Sequence, residues 1–224
     1  GTELIPSHGP VILVANHRSY FDALAIAMAV AKTGRTVRFL GKKEVFDTPF
    51  IGQFASALGG IRVDRTSGSD EPLAAASAAL SAGEMVAIMP QGTIPRGRAF
   101  FEPVLRGRWG AARLAVMSNA QVFPIGLWGT ETVWPRNARL PNFLQVTNPP
   151  EVRITVGPQV VLNYDGTPDD LADANTVAMM AAICALLPEQ SRVVYEPTAD
   201  ELKRTFPSGY RGDPEAESVR RPGT

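Results

Sequence analysis

One cysteine and two histidines in 224 residues close off several kinds of chemistry at once. An intramolecular disulfide needs two thiols, so Cys184 has no partner within this chain, and its presence is compatible with a reducing compartment. Set in Ala181-Ala182-Ile183-Cys184-Ala185-Leu186-Leu187, it reads as a small buried apolar residue. So few sulfur and nitrogen ligands argue against a zinc site. No apolar run reaches the roughly 18 residues of a spanning helix, and the first residues do not read as a signal peptide. Neither sign of charge is in excess, with 22 Lys plus Arg against 22 Asp plus Glu, so nothing points to nucleic acid as a partner. There is no internal repeat, no glycine-rich loop carrying a lysine, and no carboxylate cluster for magnesium. Those last two absences argue against a phosphoryl-transfer enzyme.

What is present is concentrated in Asn16-His17-Arg18-Ser19-Tyr20-Phe21-Asp22. An apolar run, Val11 to Ala15, precedes it at a length suited to a buried strand. An alanine-rich apolar segment follows at a length suited to a helix. His8 lies in the turn Pro6-Ser7-His8-Gly9-Pro10, which leaves His17 as the candidate imidazole base. Residues five apart on one helix point roughly 140° from each other, so a His17–Asp22 contact requires His17 to lie on a turn outside the helix. Asp22 would then fix the imidazole tautomer and stabilise the imidazolium. A second reading stays open: Ser19-x-x-Asp22 ahead of an apolar run is also a capping box, which needs no catalysis.

Further strands are expected at Thr36 to Leu40, Gly59 to Arg65, Glu84 to Met89 and Gln121 to Trp128. A strand pair or one bent strand is expected around Gly157-Pro158 within Val152 to Leu162. Helices are expected from about Tyr20 to Gly34, over Asp70 to Ala82, Leu105 to Asn119 and Leu171 to Leu187, with short helical pieces in Lys42 to Leu58. In the last long helix Val177, Met180, Cys184 and Leu187 recur at helical spacing as the apolar face. One short helix near Asp200 is expected in a surface tail. The alternation argues an α/β fold with a partly parallel sheet flanked by helices, a domain over 1–190 and a C-terminal extension over 191–224. Charge is not evenly spread: between Ile94 and Arg113 five arginines face a single glutamate. That patch suits phosphate or anionic lipid, and equally a solvated face. Phe100, Phe101 and Trp109 beside it suit either an interfacial patch or the core.

In an open α/β sheet, loops at one edge meet in one crevice. Three strand ends qualify: His17/Asp22, Asp64/Arg65, and Gln91-Gly92-Thr93. Their order and spacing resemble the four sequence blocks of the glycerolipid acyltransferase family. Asn-His-x4-Asp matches at Asn16, His17 and Asp22; a strand ending Asp-Arg matches at Gly60 to Arg65. The block usually written Phe-Pro-Glu-Gly-Thr-Arg-Ser is met by Met89 to Pro95, and an apolar strand holding a proline by Val122 to Ile125. The chain departs from that pattern twice, with Gln91 for glutamate and Ile94 for arginine; Arg96 or Arg98 is expected to compensate for the latter. The later part of the chain resembles the acyltransferase portion of actinobacterial proteins with a phosphatase-like domain upstream, which fits a start on Gly close to a strand.

The resemblance implies acyl transfer from a thioester, acyl-CoA or acyl-carrier protein, to the hydroxyl of a lysophospholipid such as lysophosphatidic acid, with no cofactor. It implies His17 as general base and Asp22 as its partner. Asn16, Arg18, Ser19, Arg65, Gln91, Gly92 and Thr93 would bind substrate, Arg65, Gly92 and Thr93 through the acceptor phosphate. Such substrates imply a protein bound peripherally to a membrane, at its cytoplasmic face. Other readings are an acyltransferase for a glycolipid acceptor, a hydrolase using water, and a noncatalytic acyl-lipid-binding module.

Overall fold

Val11–Ala15 forms β1, and every residue of it is buried. A strand covered on both faces is expected to be apolar throughout, as this one is. The structure is a computed structural model that describes residues 1–42, 47, 59–63, 71–142 and 147–211. In chain order, α1 spans Asp22–Ala31, β2 Arg38–Lys42, β3 Ile61–Val63, α2 Glu71–Ser81 and β4 Met85–Ile88. Then come α3 at Gly110–Ser118, β5 at Gln121–Trp128, the one-turn α4 at Thr130–Val133, β6 at Arg153–Val156, α5 at Ala172–Ala185 and α6 at Ala199–Arg204. The expected segment 42–58 lies almost entirely outside the described residues, as do Asp64 and Arg65.

Among the described residues six strands run in the order β3-β2-β4-β1-β5-β6. All neighbours are parallel except β5 and β6, which pair antiparallel. From β1 the chain goes out to β2 and β3, returns as β4 beside β1, and then crosses to the other side of β1 as β5. The loops after β1 and β4 therefore emerge side by side at one edge of the sheet. Alternate residues of β1 serve opposite layers. Val11, Leu13 and Ala15 pack with Ile26 and Val30 of α1, while Ile12 and Val14 pack with α2, α3 and α5 through Leu80, Leu114, Met179 and Ile183.

Three expectations need correction. The helix expected from Leu105 begins only at Gly110. Arg108 N–H is donated to Pro90 C=O at 2.8 Å, and a Cβ on Gly107 would come within 2.8 Å of Thr176 and 2.9 Å of Met180, so tertiary contacts hold these residues off the helix. The strand expected at Thr36 to Leu40 lies two residues later. Just ahead of it the Arg35 guanidinium binds the carbonyls of Pro6 and Gly9, both at 2.7 Å. In α5 the buried face is Ala172, Asn175, Thr176, Met179, Met180 and Ile183, while Val177 is 62 % exposed. This helix buries the polar Asn175 and Thr176 and exposes Val177, so apolar periodicity alone did not orient it. Around Gly157-Pro158 the bent-strand form is the one present: beyond β6, Gly157 and Val160 still donate to Pro124 and Val122 of β5. Among the described residues no helix is long and apolar enough to cross a membrane.

Candidate active site

His17 lies on the turn after β1, two residues past its end, and Asp22 opens α1. Nδ1 of His17 is 2.7 Å from Oδ2 of Asp22. The carboxylate is fully buried, whereas the imidazole is 23 % exposed. A carboxylate only accepts, so Nδ1 carries a proton, and in the neutral ring Nε2 is then the nitrogen with the lone pair. The same Oδ2 accepts the backbone N–H of Arg18 at 2.6 Å and of Ser19 at 2.9 Å. The backbone half of a capping box and the dyad are thus made by one oxygen atom. The other half is altered: Ser19 Oγ accepts from Phe21 N–H at 3.0 Å and donates to Trp134 C=O at 2.7 Å. Oδ1 of Asp22 is buried without a hydrogen-bond partner.

The neighbouring strands hold this turn from both sides. Toward β5, the Asn16 side chain donates to Leu127 C=O at 2.9 Å and accepts Leu127 N–H at 2.7 Å, continuing the β1–β5 ladder with a side chain. Asn16 and Ser19 are 1 % and 0 % exposed, so their described contacts anchor the loop. Toward β4, Gln91 Oε1 accepts the backbone N–H of His17 at 2.6 Å, across 74 residues of sequence. Gln91 sits in a tight turn whose Gly92 has φ +72°, a conformation that favours glycine. A Cβ at Gly92 would also come within 2.9 Å of the Arg108 side chain folded over it. Thr93 Oγ1 makes only a long 3.4 Å contact, to the next carbonyl.

Arg18 connects the dyad to a cleft. Its guanidinium centre lies 4.4 Å from the rings of both Phe100 and Trp128, and Nη2 meets Glu131 Oε1 at 2.6 Å. Beyond it opens a cleft of about 760 Å³. One wall is Phe100 to Leu105, another runs from Trp128 to Asn137, and the third is the C-terminal segment from Leu187 to Thr205. Phe100 and Phe101 thus line a cleft, and Trp109 buries its Nε1 at the start of α3. The arginine-rich stretch is largely engaged: Arg98 pairs with Glu196 at 2.5 Å and Arg113 with Asp169 at 2.6 Å.

Ile94 is 3 % exposed, and its carbonyl accepts from the Arg136 guanidinium. Arg96, one of the two expected substitutes for the missing arginine, lies 5.9 Å from the Tyr210 ring. The guanidinium beside Ile94 therefore comes from the turn after α4, where nothing in the sequence marks it. Glu131 and Trp128 were missed likewise, because only the return of the chain through β5 brings them to Arg18. Arg65 lies outside the described residues.

A sequence model described as "Acyltransferase" matches residues 1–128. An uncharacterized protein of Mycobacterium tuberculosis is 31% identical over 143 residues, covering 60% of this chain and 38% of its own length. A 1-acyl-sn-glycerol-3-phosphate acyltransferase of Bacillus subtilis is 24% identical, over 57% of this chain and 60% of its own. One of Chlamydomonas reinhardtii is 29% identical, over 88% and 55%. The chain therefore spans less than two thirds of each of these relatives. In fold it is similar to the crystal structure of the 1-acyl-sn-glycerophosphate acyltransferase of Thermotoga maritima, with a TM-score of 0.57 and 22% identity, covering 83% of this chain and 70% of that one.

Proposed function

Because the chain belongs to the glycerolipid acyltransferase family, we propose that it moves a fatty acyl group from a thioester, acyl-CoA or acyl-carrier protein, to the free hydroxyl of lysophosphatidic acid, giving phosphatidic acid. The observation that carries this reading is the 2.7 Å contact of a partly exposed His17 with a buried Asp22. An alcohol is a poor nucleophile at neutral pH, and an imidazole with one nitrogen held by a carboxylate is suited to take its proton. Nε2 of His17 accepts the hydroxyl proton as the alcohol oxygen attacks the thioester carbonyl. The tetrahedral oxyanion collapses, the C–S bond breaks, and the imidazolium returns the proton to the departing thiolate. Asp22 stays ionised throughout and orients the ring. No enzyme nucleophile is needed, because the acceptor itself attacks.

Arg65, Gly92 and Thr93 would hold the acceptor phosphate, by a guanidinium fork and turn amides. The cleft beside Arg18 would receive part of a substrate, since it opens next to the turn bearing the base. The acceptor and the product are bilayer lipids, so the protein would work bound peripherally at the cytoplasmic face of a membrane. An acceptor without phosphate is the second reading, supported by the buried Ile94 where the family pattern has arginine.

Thiol release from a long-chain acyl-CoA, with and without lysophosphatidic acid, tests the proposal. Acceptor-dependent release is expected, falling at least about a hundredfold in His17→Ala. Release that ignores the acceptor would make the enzyme a hydrolase, and full activity in His17→Ala would remove the base.

A further inference from the structure

Three consecutive backbone N–H groups, those of His17, Arg18 and Ser19, are all donated to side-chain acceptors. Two go to Asp22, which also holds the imidazole. The third goes to Gln91, and this contact comes from a different strand end. The ring of His17 is thus located by Asp22, while the backbone carrying it is located by Gln91. Gln91 is itself fixed, since its turn closes through Gly92 N–H to Met89 C=O at 2.9 Å and is tied to residue 108 through Pro90 C=O at 2.8 Å. A hydrogen bond of 2.6 Å to a backbone amide needs only an acceptor oxygen, so glutamate would serve it equally well in shape.

We propose that Gln91 is a positioning residue for His17, holding the backbone of the base from the turn after β4. The inference rests on His17 acting as the base. Asp22 fixes the ring through Nδ1, and Gln91 fixes the amide of the same residue from a separate strand end, so the two restraints together set where Nε2 lies. An ordinary structural anchor predicts a different outcome, because its loss would lower stability without separating kcat from KM.

The test uses Gln91→Glu and Gln91→Leu beside the parent protein. In Gln91→Leu, kcat should fall roughly tenfold or more with little change in KM for the donor. In Gln91→Glu, which keeps an acceptor oxygen at the same reach, kcat should return to within about threefold of the parent. An unchanged kcat in Gln91→Leu, a loss there carried by KM alone, or an equal loss in both variants would overturn the positioning role. Full activity of His17→Ala would instead remove the base assignment itself, which is a separate result.

Discussion

At the scale of single residues, the most economical device is the Oδ2 atom of Asp22. It accepts from His17 Nδ1 and from two backbone amides, so the turn after β1, the orientation of the His17 ring and the start of α1 share one acceptor. Asp22→Asn should therefore harm catalysis far more than folding. An amide in the same place still accepts weakly but no longer stabilises an imidazolium, so kcat should drop by several orders of magnitude while the fold persists. Circular dichroism beside single-turnover kinetics separates the two effects. Asn16 shows the complementary case. Its amide satisfies both backbone groups of the fully buried Leu127. Asn16→Ala leaves a buried donor and a buried acceptor unmet and should cost about 2–4 kcal/mol, read as a lower urea midpoint at unchanged slope.

At the scale of elements, α6 is the piece whose placement is expected to respond to pH. Thr198 and Glu201 form a complete capping box, and the Glu201 carboxylate also accepts from the Tyr195 hydroxyl at 2.9 Å. The Thr198 backbone N–H first, then the Thr198 and Tyr195 hydroxyls, hold the Glu201 carboxyl below the ordinary value near 4.5. A lowered folded-state value means that this contribution is present above the ordinary value and is lost as pH falls through the folded one. Thr205 Oγ1 on the turn after α6 accepts the Gly97 N–H at 2.7 Å, and Tyr195 and Glu201 line the cleft. Acidification below about pH 4.5 should therefore loosen this wall of the cleft before the sheet unfolds. Hydrogen exchange of residues 195–206 at pH 6 and pH 3 checks it: equal protection would contradict the prediction.

At the scale of the whole molecule, α5 and the segment after it must sit close on β5 for the cleft to exist. Gly126 of β5 permits that approach, since a Cβ there would lie 2.7 Å from Cβ of Leu186 and 3.1 Å from its carbonyl oxygen. Gly126→Ala should cost about 1–3 kcal/mol through overpacking. Because Leu187 begins the third wall of the cleft, the same change should raise KM for the substrate lodged there more than it lowers kcat. Thermal unfolding and steady-state kinetics on one preparation measure both.

The strands at 11–15 and 121–128, the helix starting near 22, and the turn bearing His17 were legible because each is set by short-range facts. These are an apolar run of strand length, an alanine-rich segment, and a spacing of five that a continuous helix cannot bring together. The sequence by itself therefore determined the α/β alternation, the place of His17 beside Asp22 and the edge of the sheet on which that turn lies. Tertiary structure decided what depends on residues far apart in the chain: Gln91 on the His17 amide, Asn16 on Leu127, Arg18 between Phe100 and Trp128, and Arg136 on Ile94. It also decided the buried face of α5 and the late start of α3. A helix that buries Asn175 and Thr176 and exposes Val177 has an inward face that apolar spacing does not mark, and residues 105–109 are held off the helix by contacts, among them a bond to a turn, that no local pattern reveals.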